Sequence, residues 1–431
     1  MERIKVIGAG LAGCEAAYRA AKEGFKVTLY EMRPSVMTPA HTGGGFAELV
    51  CSNSLKSTDL CTAQGVLKRE MKLLDSLIIE AAEATAVPAG GALAVDREKF
   101  SLYIENKIKS LPEIEVVRAE RAEIDDYTVI AAGPLASAAL TEELKKVTGG
   151  EYLNFFDAVA PIVTKESIDF SKAFYAGRYG KGGEDYLNCP MDAEEYYTFC
   201  EELVSAEKVV LREFEKKDVF NACMPVEIMA AKGKDTLRFG PLRPVGLTDP
   251  TTGKRPFSVV QLRKEDERGS MWNIVGFQTN LKFAEQKRVF SLIPALKNAE
   301  FVRYGVMHRN TFVNAPKVLG EGFSLAARPK VFLCGQLSGV EGYAESAASG
   351  IIAGINVCRV LKGQKPVTPP ENTAIGGLMK YITSPNEDFQ PMHVGFPLMG
   401  EPITGIKDKT KRKAAYSERA ERDFAVFKEN L

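Results

Sequence analysis

Two cysteines sit where thiol chemistry is possible. Cys51 lies in "FAELVCSNSLKS", among small polar residues and shortly after Gly43-Gly44-Gly45, whereas a cysteine kept for packing usually has apolar neighbours on both sides. Cys223, in "DVFNACMPVEIM", is also outside any long apolar run, and Pro225 turns the chain just after it. A thiolate can act as a nucleophile or a base. From spacing alone, each residue stays open between that use and a structural one. Ser52, Asn53 and Ser54 are good helix N-cap residues, so a helix is expected to start beside Cys51 and to favour its thiolate. The remaining cysteines, Cys14, Cys61, Cys189, Cys200, Cys334 and Cys358, form no C-x-x-C pair, which leaves zinc ribbons and thioredoxin-like redox pairs without support. With only His41, His308 and His393 present, no metal site is expected.

The opening stretch "RIKVIGAGLAGCEAAYRAAKEGFKVTLYEMRP" carries a second kind of chemistry. Ile4, Val6 and Ile7 make a short buried strand. Gly8, Gly10 and Gly13 follow in G-x-G-x-x-G order, with Ala9, Leu11 and Ala12 between them. Leu11 to Glu23 has helical composition, Gly24 suits its C-terminal end, and Val27 to Tyr30 is a second strand that runs into Glu31. Such a turn lets a pyrophosphate approach the backbone at a helix N-terminus, and an acid at the end of the second strand can hold ribose hydroxyls. Cys14, inside that helix, reads as core. Near the other end, "PKVFLCGQLSGVEGYAESAASGIIAGINVCRVL" gives a strand (Val331 to Cys334), then Gly335-Gln336 and a helix of small residues, Ala344 to Ala353. It is similar to the second cofactor contact of FAD-binding folds, and "YTVIAAGP" resembles the strand-and-glycine segment between the two.

These elements must be positioned by a chain of 431 residues, long enough for two or three domains. The expected fold class is α/β, a discontinuous Rossmann-like FAD-binding domain with an inserted mixed α/β domain. Its parts are residues 1–150, an insertion at 151–329, and 330–431 with a basic tail. In the insertion, strand-like runs such as "FSVVQLRKED" and "WNIVGFQTNL" alternate with helical "DAEEYYTFCEELVSAE" and "KFAEQKRVFSLIPAL", the latter ended or kinked by Pro294. Proline and glycine recur from Pro225 to Gly246, which suggests a shaped wall rather than a regular element. With 45% hydrophobic and 26% charged residues the composition is that of a globular protein. The 56 basic and 56 acidic residues cancel, so an anionic partner must meet a local patch. Lys407, Lys409, Lys411, Arg412 and Lys413 form one, open to a solvated helix face or to RNA phosphates. No signal peptide or membrane span is read, and a reducing, cytoplasmic setting is expected.

"GAGLAGCEAA", "FAELVCSNSL", "FNACMPVE", "LRFGPLRPVGL", "YGVMHRNTFVNAP" and "GQLSGVEGYAESAASG" together resemble the folate- and FAD-dependent tRNA (uracil-5-)methyltransferases. The resemblance runs from Met1 to about Gly400. Members are similar in their FAD segments to the larger MnmG flavoproteins, whose long C-terminal helical region this chain is too short to hold. The resemblance implies methylation of uridine 54 of tRNA at C5, with 5,10-methylenetetrahydrofolate as carbon donor, FAD as cofactor and NAD(P)H as reductant. It also implies that Cys51 and Cys223 share the nucleophile and base roles, with Cys51 as nucleophile and the reverse assignment open. Cofactor contacts are expected at Gly8 through Gly13, Glu31, Gly335 and Gln336. The alternatives are a relative methylating ribosomal RNA, an MnmG-like modifier of wobble uridine, a small-molecule flavin dehydrogenase or thiol oxidase, and a non-catalytic RNA-binding flavoprotein. No membrane or metal partner is expected.

Overall fold

The computed structural model of the chain describes residues 2–150, 152–180, 183–209, 224–387 and 389–431. For 152–158 and 308–309 it describes the backbone only. Cys223 lies outside the described residues.

Ile4–Ile7 and Val27–Tyr30 pair in parallel, as their β-branched, apolar residues predict. They belong to a six-stranded sheet in the order Ser324–Leu325, Arg328–Leu333, Thr128–Ile130, Ile4–Ile7, Val27–Tyr30, Ile114–Val117. All neighbours are parallel except the Ser324–Leu325 edge. Strands from both ends of the chain therefore share one sheet. Helix Leu11–Lys22 packs on helix Tyr343–Leu361 through small residues. A Cβ at Gly350 would fall 2.1 Å from the Ala12 carbonyl oxygen, and one at Gly354 would fall 3.0 Å from the Ala16 Cα. Glycine there sets the helix separation. The second helix is longer than the sequence reading, which stopped it at Ala353.

A separate antiparallel sheet runs Phe174–Tyr175, Tyr186–Met191, Ser258–Lys264, Met271–Ile274, Ile162–Thr164, Phe301–Arg303. Helices Ala193–Ser205 and Phe283–Phe290 cover it. Its core holds Tyr196, Phe199, Trp272, Phe277 and Phe290, and the buried Trp272 donates its Nε1–H to the Gly269 carbonyl at 2.9 Å. Pro294 opens a 3-10 turn after the second of these helices. The proline- and glycine-rich stretch after Cys223 departs from expectation, because it contains helices Val226–Ala231 and Thr236–Phe239. Pro225 is the N-cap of the first of them, since its fixed φ and missing N–H suit the start of a helix rather than forbid one. Tyr152–Ala158 pairs antiparallel with Met307–Val313 as a ribbon outside both sheets.

Candidate active site

Gly10 stands at the N-cap of helix Leu11–Lys22, which has no side-chain cap and no acidic residue in its first turn. Its leading N–H groups thus lack a side-chain acceptor, and they carry the positive end of the helix dipole. They face an open cleft whose empty space, counting the solvent at its mouth, is about 1190 Å³. Gly8, Gly10, Leu11, Ala12, Glu31, Gly335, Gln336 and Cys51 all line that one cleft. Ala9 and Gly13 do not. Ala9 is buried, and its N–H donates to Glu31 at 3.0 Å. A Cβ on Gly13 would fall 1.8 Å from the Gly8 carbonyl oxygen. Both build the turn from behind.

Glu31 is only 4% exposed. Its carboxylate accepts from the Ala9 N–H and from the Arg33 backbone N–H, Nε and Nη2 at 2.9–3.3 Å. A carboxylate has about four acceptor sites, so Glu31 is held rigidly and Arg33 neutralises it. Arg33 in turn bonds Glu48 at 2.7 Å and the Gly45 carbonyl at 3.0 Å, tying the Gly43–Gly45 run through Glu31 to the Gly8–Gly13 turn. At the other end of the cleft, the Gly335 N–H donates to Ser349 Oγ at 2.8 Å, and Gln336 Nε2 donates to Glu341 at 2.7 Å.

Cys51 is half-buried in the same cleft. The expected helix beside it is absent. Ser54–Ser57 is a strand pairing with Ala92–Val95, and the next helix starts at Ala63 with Thr62 as its cap. Of the side chains read as caps, Ser52 and Asn53 make tertiary bonds, and Ser54 Oγ accepts locally from the Lys56 N–H at 3.1 Å. Asn53, fully buried, donates to the Val95 and Lys264 carbonyls at 3.0 Å and accepts from Arg263 Nε at 3.1 Å. Arg263 Nη2 donates to Ser52 Oγ at 2.9 Å. The Tyr343 hydroxyl accepts from the Cys51 and Ser52 N–H groups at 2.7 and 3.2 Å, and burial holds this phenol well above its ordinary pKa, so it stays protonated. Arg97 donates to the Leu49 carbonyl and pairs with buried Glu265. The cysteine loop is thus clamped between the parallel-sheet core and the end of the interior strand Ser258–Lys264 of the antiparallel sheet.

The electrostatics at Cys51 come from guanidiniums, not from a helix. Arg97 and Arg303 both lie close enough for a charge on Cys51 to act on them. Arg303 is largely buried, and its Nε and Nη2 have no partner among the described residues. Fixed positive charge beside a thiol favours its anion. Tyr343, Arg97, Arg263 and Arg303 were not found from the sequence. Tyr343 and Arg263 lie in stretches quoted above, "GQLSGVEGYAESAASG" and "FSVVQLRKED", but neither stands out there as a site residue. Among the described residues, no group of three or more His, Cys, Asp or Glu could hold a metal, and no helix is long and apolar enough to cross a membrane.

Residues 3–365 match the family described as Glucose inhibited division protein A. A methylenetetrahydrofolate--tRNA-(uracil-5-)-methyltransferase TrmFO of Persephonella marina is 53% identical over 430 residues, 99% of each chain. The protein of the same description from Bacillus pumilus is 54% identical over 430 residues, again 99% of each. Among solved structures, GidA of Aquifex aeolicus superposes with a TM-score of 0.70 at 17% identity, covering 99% of this chain and 76% of that one. That likeness is one of fold.

Proposed function

Since the chain belongs to the TrmFO family of methylenetetrahydrofolate--tRNA-(uracil-5-)-methyltransferases, we propose how its cleft serves that reaction. The activity is methylenetetrahydrofolate-dependent methylation of uracil at C5 in tRNA. The finer reading is uridine 54 in the T-loop as target, NAD(P)H as reductant and FAD as resident cofactor. One observation supports it: a single cleft is lined by Gly8, Gly10, Leu11, Ala12, Glu31, Gly335, Gln336 and Cys51.

The turn fits FAD. Gly10 has a negative φ, and a Cβ there would meet only the Ala131 carbonyl oxygen, at 4.0 Å, so the space above it is open to a pyrophosphate. The uncapped helix N-terminus supplies donors for that anion. Glu31 would share its carboxylate with the ribose hydroxyls, and Gly335 with Gln336 would border the ring end. Bound there, the cofactor supplies the two electrons that take a one-carbon unit from the formaldehyde level to a methyl group.

Cys51 does the covalent work. Its thiolate adds to uracil C6, and the C5–C6 π pair moves onto C5 and O4 as an enolate. C5 then bonds the carried methylene carbon, a base removes the C5 proton as the carbon–nitrogen bond to the carrier breaks, and hydride addition to the resulting exocyclic methylene expels the Cys51 thiolate from C6. Cys223 is assigned the base on the family resemblance. Tyr343 fixes the backbone of Cys51 and Ser52. The positive field of Arg97 and Arg303 stabilises both the thiolate and the enolate.

The test incubates the protein with methylenetetrahydrofolate, NADH or NADPH and unmodified tRNA, followed by nucleoside analysis. 5-Methyluridine at position 54 is expected. With tRNA carrying 5-fluorouridine, a protein–RNA adduct that survives denaturation should form, because fluorine cannot leave as the proton does. Cys51→Ala should lose the adduct and methylation. Cys223→Ala should lose turnover yet keep the adduct, since proton removal follows addition. A peptide map placing the adduct on Cys223 would swap the roles. Intact methylation with an adduct on neither residue would remove the two-cysteine mechanism.

A further inference from the structure

The two most exposed large apolar side chains among the described residues are Phe239, 84% exposed, and Tyr179, 67% exposed. The Tyr179–Gly246 contact brings the two segments that carry them together. Phe239 ends the short helix Thr236–Phe239, whose Leu237 is buried and whose Arg238 is used internally. Arg238 donates to Asp235 and to the Phe257 carbonyl, with its guanidinium 3.6 Å from the centre of the Phe257 ring. Phe239 is left outside that packing. The chain then turns, with the Arg243 N–H bonded to the Gly240 carbonyl at 3.3 Å, and reaches Val245 and Gly246. The Tyr179 N–H donates to the Gly246 carbonyl at 2.8 Å. The Tyr179 ring lies against Gly246, where a Cβ would fall 3.0–3.1 Å from three ring atoms. Tyr179 itself has a φ of 58°, a left-handed conformation uncommon for a bulky residue. An outward ring held at a strained backbone position points to function.

The charges of the patch agree. Arg178 is fixed through Nε to Gln261 at 3.1 Å and through Nη1 to the Val245 carbonyl at 2.9 Å. Gln261 is itself held by Asn188 at 2.9 Å. No described residue accepts from Arg178 Nη2. The titratable groups acting on Arg178 are the Arg243 guanidinium and the neutral phenols of Tyr179 and Tyr186, with no carboxylate among them. Neither arginine makes an ion pair among the described residues, and Arg243 is exposed. One fixed guanidinium, Arg178, and one exposed guanidinium, Arg243, neither ion-paired among the described residues, suit a polyanion, and the outward rings suit its aromatic faces.

We propose that Arg178, Tyr179, Phe239 and Arg243 form a docking surface for an unstacked stretch of the tRNA substrate, with the rings receiving base faces and the guanidiniums receiving phosphates. The proposal deepens the reading given above and rests on tRNA being the substrate. C5 and C6 of a uracil inside a folded loop are covered by stacking and pairing, so the target must be drawn out. Its neighbours then lose stacking partners, and exposed aromatic and arginine planes replace them. Carboxylates of a folate would use the arginines but not the rings.

The test uses the full-length flavoprotein and unmodified tRNA transcript. Phe239→Ser should weaken tRNA binding about tenfold without changing the salt slope, because stacking carries no counterion release. Arg243→Gln should weaken binding and lower the slope of log K against log salt by about 0.7–0.9. Tyr179→Asn, which keeps a residue tolerant of the left-handed backbone, should act like Phe239→Ser. Flavin content, thermal midpoint and the KM for methylenetetrahydrofolate should not move. Wild-type affinity in all three variants would overturn the surface. So would a raised folate KM with unchanged tRNA affinity. If the wild type binds tRNA through these residues yet forms no 5-methyluridine, the surface stands and the reaction reading falls.

Discussion

Gly8, Gly10 and Gly13 are one residue type used for different physical reasons. Gly8 has a φ of +101°, and a Cβ there would lie 2.6 Å from the Ala131 carbonyl oxygen. Gly13 has no room at all. Gly10 alone has ordinary backbone angles and open space. Gly10→Val should therefore fold with a near-normal melting temperature and purify almost free of flavin, because its side chain fills the place of the pyrophosphate. Gly13→Val should fail to fold. Absorbance near 450 nm beside a thermal melt separates the two, and a yellow Gly10→Val protein would put the cofactor elsewhere. The glycine pattern and Cys51 were legible because each announces itself within a few residues. The groups that clamp Cys51 were not. Tyr343 lies 292 residues away in the sequence, and nothing local marks it or Arg303.

At the scale of elements, buried carboxylates close helix ends belonging to other parts of the chain. Glu70, on helix Ala63–Leu73, accepts from the Ala374 and Ile375 N–H groups at 2.7 and 2.8 Å. These open helix Ala374–Thr383, which Thr373 also caps. Glu15, on helix Leu11–Lys22, does the same for Leu77–Ala84, accepting from Ile78 at 2.9 Å. Burial pushes Glu70 up to about 8 and Glu15 up to about 7, from an ordinary 4.5. A carboxyl raised in the folded state binds more protons there than in the unfolded chain. Its contribution to stability is full below about pH 4.5 and is lost as pH rises through 7 to 8. The melting temperature should thus fall by at least a few degrees between pH 5.5 and 8.5. Glu70→Gln should flatten that slope, and an unchanged slope would remove Glu70 from the account. The parallel strands and the helix after the glycine turn were readable from period and composition. The Ser52–Ser54 segment was misread because the same short polar side chains serve helix caps and long-range bonds, and only the fold decides which.

For the molecule as a whole, the balance of 56 basic and 56 acidic residues provides no long-range pull on a polyanion. Any electrostatic affinity for tRNA must be local, and the tail provides a place for it. Lys409, Lys411, Arg412 and Lys413 fall in the first turns of helix Lys409–Glu429, with Lys407 just ahead, and none of the five makes an ion pair among the described residues. Basic residues at a helix N-terminus oppose the dipole. Only Asp408 offsets them, its carboxylate accepting from the Lys411 N–H at 2.8 Å. Further along, Arg69 pairs with Glu421 and the Ser417 hydroxyl bonds the Leu60 carbonyl, which anchors the helix on the body of the protein. Reversing Lys411, Arg412 and Lys413 to glutamate should therefore strengthen the helix start rather than melt it, and weakened tRNA binding could not be blamed on lost structure. The triple variant should lose tRNA affinity and flatten the slope of log K against log salt by about 2 to 3 if all three meet phosphates. Flavin content should be unchanged, and the melting temperature should hold or rise. An affinity and slope equal to the wild type would return the cluster to a solvated helix face and leave the Arg178–Arg243 surface to carry the contact.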